Sequence, residues 1–451
     1  MRTMKRVAAV ALSVVVLMTS GVSAKAAVTD VQPAKSSSEA VLKWAKKVGE
    51  PFDEKTYANN TVSKIKLVGN YLYVADDAKH RIMKIDKKDG TILKEQKYCD
   101  ESYIQGYVSS IGYGDGKVYV GYDNGRVQAF DENTLESLWI TDENKNAINA
   151  DFVFTNGKLY FGTTAKTTDW YDNGAPFSYY VVTTSDDDKT KPDEEKTMKK
   201  VVESKTGKFY SKKGVVLGKY IVISDTAGTL TMIDTTNDKV TDTKDIGEAF
   251  SGNITYDEMT GTIYFVAGTN DLYGIKVSAD GKLKDEKKVR LYETGYSATT
   301  PEVYNGKVYV SGSKGKAFQD KGYMAVADVS SDKYKVNYTV ELSNYSQCEP
   351  TIVKTGENSV RVYFTINDEP GGIYAIEDSK DATSATLETV YEPTGDIKNT
   401  GCMSDVVVDE DGTIYFANDS KYIMSVGKKV EDTKKSDIKV LSVTAAALRL
   451  Q

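Results

Sequence analysis

Three cysteines, one histidine and scattered carboxylates are the residues of this chain that could do chemistry. His80 sits in Asp76–Arg81, a short polar run that reads as a hairpin turn. A Ser-His-Asp or Cys-His relay needs its histidine beside a nucleophile, which a turn tip does not supply. Zinc draws on several Cys and His at characteristic spacing, and neither a CxxC nor an adjacent Cys pair is present. Asp186-Asp187-Asp188 lacks the alternating ligands and turn glycine of a calcium loop. Nearby lysines compensate its charge, so it reads as a solvated hairpin. No catalytic or metal-binding residue is therefore assigned. Glu302, Glu349 and Asp405 fall near the starts of strands, where paired carboxylates could cleave a glycan. Their separation along the chain does not by itself bring them together. Cys99, Cys348 and Cys402 read first as small buried residues, and Cys348 with Cys402 is the candidate pair should a disulfide form.

Aromatic residues offer binding chemistry instead. Trp170, Tyr171 and Phe177 lie in a polar insertion, Thr164–Tyr180. Rings in such a loop stack on a sugar or anchor a protein partner. The competing reading is that they fold back onto the strands beneath. The 31 tyrosines as a set are weaker evidence, because Tyr suits half-buried strands.

The elements that must position these residues repeat along the chain. Ile111–Thr141 reads as four short strands separated by Asp-Gly, Asn-Gly and Asp131–Leu135 turns, a meander of antiparallel strands. A lone meander is marginal and needs copies of itself. Its second strand recurs at Tyr73, Tyr119, Tyr160, Val222, Tyr264, Tyr309, Tyr363 and Tyr415. The mean spacing, about 49 residues, is that of propeller blades. Helical periodicity is nearly absent. The pattern predicts an all-β, eight-bladed β-propeller of four-stranded antiparallel blades. The last unit, Val406–Val426, shows three strands only. Leu42-Lys43-Trp44 resembles Ser137-Leu138-Trp139, so the N-terminal strand is expected to complete the eighth blade and close the ring. The rival closing strand is Ile438–Val443, and Ser36–Gly49 could alternatively form a short helix.

Composition narrows the partners. The 451-residue chain carries a net charge of −7, which argues against nucleic acid and mainly serves solubility. Residues 1–26 read as a secretory signal peptide: Arg2, Lys5 and Arg6, then the apolar Val7–Met18, then a small-residue cleavage site at Ala24 or Ala26. No other segment is long and apolar enough to span a membrane. Residues 27–429 are expected to form the propeller and 430–451 a polar tail.

With Ala129–Trp139 (AFDENTLESLW), LKWAKKVG and PGGIYAI, the chain resembles the pyrroloquinoline-quinone (PQQ)-like repeat proteins, and within them secreted members from Gram-positive bacteria. The resemblance implies ligand binding on the face that carries the blade-to-blade connections. Cys99, Cys348 and Cys402 fall in those connections, as do Gln105, Tyr107, Tyr296, Tyr345 and Gln347. The Trp170 insertion falls on the same face, and the acidic insertion is expected to project from the opposite one. The ligand-binding candidates are thus Trp170, Tyr171, Phe177, Tyr107, Tyr296 and Tyr345. Quinoprotein oxidoreductases of this class use a vicinal disulfide, a Trp beneath the quinone and a calcium ion with an Asp base. This chain has no adjacent Cys pair, and Trp44, Trp139 and Trp170 fall at outer strands and a loop. The expected function is therefore a secreted, monomeric, non-enzymatic binding module or scaffold at the cell surface. Its ligand would be a glycan or a cell-envelope protein, with no cofactor. The alternatives are a PQQ- and calcium-dependent oxidoreductase and a polysaccharide-active enzyme.

Overall fold

The computed structural model describes residues 31–49, 64–76, 79–98, 111–166, 176–185, 195–209, 213–250, 252–315 and 321–429. These residues form eight sheets, each built on four antiparallel strands. Blade 1 consists of Lys66–Val68, Tyr71–Asp76, Arg81–Asp86 and Ile92–Lys97. Blades 2 to 7 begin at residues 112, 153, 215, 255, 302 and 351. Blade 8 takes its first three strands from Val407–Val408, Ile414–Ala417 and Tyr422–Lys428. Its fourth is Ala40–Lys47, which runs antiparallel to Tyr422–Lys428, so the N-terminal strand closes the ring as expected. Ser36–Gly49 is thereby strand and not helix. The rival strand, Ile438–Val443, and residues 1–26 lie outside the described residues.

The physical reason for closure is visible in the core. Each blade has two apolar faces and must bury both. The buried apolar residues of the described chain fall into eight clusters, each spanning two successive blades. The cluster of Val48, Leu72, Met83, Tyr415 and Ile423 joins blade 8 to blade 1. Every third-to-fourth strand ladder contains a register shift. Such bulges increase local twist and bend the strand, which lets each outer strand fan away from its inner neighbours.

The recurring tyrosines act as staples between blades. Tyr73 donates its hydroxyl to Glu132 O (2.7 Å) in the next blade, and Tyr160 donates to Asp238 Oδ1 (2.7 Å). Tyr309 donates to Asp378 Oδ2 (2.8 Å), and Tyr415 reaches Lys87 O (3.2 Å) across the closure. Trp44 adds its indole N–H to the same Lys87 carbonyl (3.1 Å), while its ring lies against Gly90.

Blade 2 holds a fifth strand. Glu195–Lys196, the end of the acidic insertion of blade 3, pairs in parallel with Ile140 and Thr141. Arg126 Nη1 bonds Glu195 (2.6 Å), and the Lys196 ammonium sits 5.0 Å from the centre of the Trp139 ring. The acidic run Asp186-Asp187-Asp188, read as a solvated hairpin, lies outside the described residues. The return end of the insertion covers the edge of a neighbouring blade, because an unpaired edge next to a Trp and an Arg rewards a strand there.

Candidate functional site

One position in the repeat gathers the charged groups. In each blade the first residue of the inner strand lies opposite the recurring Tyr or its substitute. The pairs are Lys66–Tyr73, Gly112–Tyr119, Val153–Tyr160, Val215–Val222, Thr255–Tyr264, Glu302–Tyr309, Thr351–Tyr363 and Val407–Tyr415. Two residues earlier stand Lys64, Ser110, Asp151, Lys213, Asn253, Thr300, Glu349 and Asp405. Every one is polar. Ser110 lies outside the described residues. Inner strands line the axis of the ring, and these residues stand where each connection enters the channel. Glu302 and Lys66 stand two residues further into their strands.

Neighbouring positions bond to one another round the channel. Lys213 donates its backbone N–H to Asn253 Oδ1 (2.9 Å). Thr300 hydrogen-bonds the Glu349 carboxylate. Glu349 donates its backbone N–H to Asp405 Oδ1 (2.7 Å). Lys64 Nζ then closes on Asp405 (3.1 Å), with Asp151 at 3.8 Å on another side. The Lys64 side chain keeps 40% of its surface open although protein surrounds it, so it faces a wet lumen. Glu302 is 1% exposed, and its Oε1 receives no N–H or O–H donor. The Glu302 side chain hydrogen-bonds the Glu349 carboxyl. Two buried carboxyl groups in such contact share a proton.

The ionisation states follow. Burial, and then the charge of Glu349, hold the Glu302 carboxyl well above its ordinary range. Burial alone would raise Glu349 too, but Lys213 and Lys64 outweigh it and hold that carboxylate low. Asp405 is raised by burial against the pull of Lys64. Burial, followed by repulsion from Lys213, brings the Lys66 ammonium down to about 8. Burial opposes charge on Lys64, yet Asp405, Asp151 and Glu349 together raise it. The attraction of Glu349 raises Lys213.

This geometry limits the chemistry. Retaining and inverting glycosidases hold their carboxyl groups roughly 5–9.5 Å apart, with the sugar or water between. Glu302 and Glu349 bond directly and leave no such gap. The described residues do not fit PQQ with calcium either. Among the described residues no group of three or more His, Cys, Asp and Glu side chains is placed to hold a metal ion. The channel carboxylates already face Lys64 and Lys213. Trp44 and Trp139 sit on outer strands, with Trp139 packed against Tyr119 (5.7 Å between ring centres).

The sequence-based candidates separate. Trp170, Tyr171, Tyr107 and Cys99 lie outside the described residues. Phe177 does not belong to an open aromatic loop. It begins the strand Phe177–Thr183 and is buried with Tyr179 and Phe209 between blades 3 and 4, because the strand starts inside the insertion, before its expected end at Tyr180. Tyr296 and Tyr345 are half-buried in blade-to-blade connections. Tyr345 accepts a hydrogen bond from Asn367 Nδ2 (2.5 Å), and Tyr296 pairs with Ser313 through the backbone. Cys348 and Cys402 are both free and buried, as the reading of small buried residues expects, and the candidate disulfide between them is not formed. Each thiol is satisfied within its own blade: Cys348 by the Thr365 N–H (3.2 Å), Cys402 by Ala417 O (3.6 Å). Glu302, Glu349 and Asp405 do converge. Lys64, Lys66, Asp151 and Lys213 escaped notice, although five of the eight ring positions stand nine residues before the blade's marker among those at 73, 119, 160, 222 and 309.

No family model matches the chain, and no curated protein does. Solved structures do. Quinohemoprotein alcohol dehydrogenase from Comamonas testosteroni superposes with a TM-score of 0.61 at 10% identity, covering 86% of this chain and 76% of its own. BamB from Moraxella catarrhalis gives 0.57 at 12% identity, covering 86% and 97%. The computationally designed Ika8 protein gives 0.52 at 11% identity, covering 82% and 96%. At such identities the likeness concerns the fold alone: the chain is an eight-bladed β-propeller, built like these proteins in its blades.

Proposed function

We propose that this chain is a secreted, non-enzymatic β-propeller that serves as a binding module or scaffold at the cell surface, with a glycan or a cell-envelope protein as ligand. The observation that carries this reading is the mutual engagement of the channel groups. Glu302 bonds Glu349, and Lys64 bonds Asp405. Groups engaged in this way suit the recognition of a ligand. The N-terminal stretch with Arg2, Lys5, Arg6 and Val7–Met18 supports export. The half-buried Tyr296 and Tyr345 support a ligand on the connection face.

The test is a thermal-unfolding screen of the chain from Ala27 onward against cell-wall and other glycans, and against PQQ with calcium. A ligand at a hundred times its dissociation constant adds roughly 2.7 kcal/mol of stability. A glycan shift, or a stable protein partner recovered from cell envelopes, is expected. Stabilisation by PQQ together with dye-linked alcohol oxidation would overturn the reading.

A further inference from the structure

Two outer strands of the ring carry a Trp, and the two differ in what covers them. Trp139 lies on Ser137–Thr141, where Glu195–Lys196 adds a fifth, parallel strand, and it is fully buried. Trp44 lies on Ala40–Lys47, whose one strand partner among the described residues is Tyr422–Lys428. Trp44 is only half-buried, and Val41 is 39% exposed. An edge strand presents a row of N–H and C=O groups to an incoming strand. Blade 8 thus has the form that blade 2 would have without its fifth strand.

The chain leaves blade 8 beside this edge. Lys429, the last described residue, donates its backbone N–H to Glu39 O (2.7 Å). The Lys428 ammonium pairs with the Glu39 carboxylate (3.3 Å). Residues 430–451, which lie outside the described residues, therefore start from the beginning of Ala40–Lys47. Residues 430–437 (VEDTKKSD) are polar, and a spacer of that length extends to about 26 Å. The outer edge lies two strand spacings from Tyr422–Lys428, roughly 10 Å away. Residues 438–443 (IKVLSV) follow, rich in β-branched residues and free of Gly and Pro. A segment that enters at this end runs in the same direction as Ala40–Lys47, as Glu195–Lys196 does beside Ile140 and Thr141. The neighbouring outer strand, Leu387–Tyr391 of blade 7, already gives its Thr389 carbonyl to the Ser37 N–H (2.9 Å).

We propose that residues 438–443 dock in parallel along the outer edge of Ala40–Lys47 as a fifth strand of blade 8, covering Val41 and the open side of Trp44. Both terminal regions then meet in one blade: the N-terminal strand closes the ring, and the C-terminal segment covers the edge that this closure leaves. The docking is independent of any ligand the ring binds elsewhere.

Hydrogen exchange read by mass spectrometry tests this on the chain from Ala27 onward, beside a chain ending at Lys429 and the full chain with Val440→Pro. In the full chain, amides of 438–443 are expected to exchange at least tenfold more slowly than those of 444–451. In the shortened chain, the outward-facing amides of 41–47 should exchange at least tenfold faster. Val440→Pro removes a strand donor and changes no described residue, so it should produce the same acceleration even if the shortened chain loses its cooperative thermal transition. Exchange of 438–443 as fast as that of 444–451 would overturn the proposal. Protected 438–443 with unchanged exchange of 41–47 in Val440→Pro would place the segment elsewhere and overturn it too. Protection that vanishes on dilution, together with a dimer by sedimentation, would overturn docking within one chain in favour of pairing between two copies.

Discussion

At the scale of single residues, the channel is governed by one shared proton. Glu302 is held above its ordinary range, so its neutral form favours the folded state. That contribution is complete below the ordinary Glu range and is lost as the pH rises toward the raised value. Glu302→Gln keeps a donor to Glu349 at every pH and removes the loss. The variant should gain on the wild type by up to about 1.4 kcal/mol for each pH unit above about 5, until Glu302 ionises in the folded protein. Urea unfolding at a series of pH values measures this, and parallel pH profiles would rule out the shared proton. Phe177 carries a contrasting expectation. It is a core residue, so Phe177→Ala should cost about 3–5 kcal/mol and leave the affinity of the folded protein for any ligand unchanged.

At the scale of elements, the blades are joined where a second strand meets the next blade's outer turn. Asp378 is the most heavily used of these joints. It accepts Tyr309 (2.8 Å), Tyr338 (2.5 Å) and Lys307 (3.0 and 3.1 Å), all buried between blades 6 and 7. Asp378→Ala strands the Lys307 ammonium and should cost about 3–5 kcal/mol. Tyr309→Phe removes one neutral donor and should cost about 1 kcal/mol. Replacing the pair together, Lys307→Met with Asp378→Leu, should cost less than Asp378→Ala alone, because no charge is left buried. Denaturant midpoints for the three variants decide the order, and equal costs would show that the contact is not an ion-pair joint. The Trp on the outer strand, a feature of the resemblance, survives as a joint at Trp44, where it shares the Lys87 carbonyl with Tyr415. Trp139 holds the matching place between blades 2 and 3.

At the scale of the whole molecule, the ring closes through Ala40–Lys47. Blade 8 without this strand exposes Ile423, Met424 and Val426 along an unpaired edge. A chain beginning after Gly49 should lose its single cooperative melting transition, and calorimetry should show a broad or split one. Trp44→Ala should lower stability by about 2 kcal/mol, less than a full core truncation, because Trp44 is half-buried. A truncated chain that melts as one unit at the wild-type temperature would show that closure lies elsewhere.

What the sequence determined by itself is the architecture. The Tyr markers from Tyr73 to Tyr415, the Asn-Gly and Asp-Gly turns and Trp44 are local signals, and strand period and turn chemistry act over a few residues. They were sufficient for eight blades and for the N-terminal closure. Only the tertiary structure decided the channel. Lys64, Asp151, Lys213, Glu349 and Asp405 come from five blades, and nothing local distinguishes each from a surface charge. Their meaning arises when closure carries them to one axis, where burial and mutual charge reset their ionisation. Phe177 departs from the loop reading for the same reason: its environment is set by the neighbouring blade, which a linear reading does not contain.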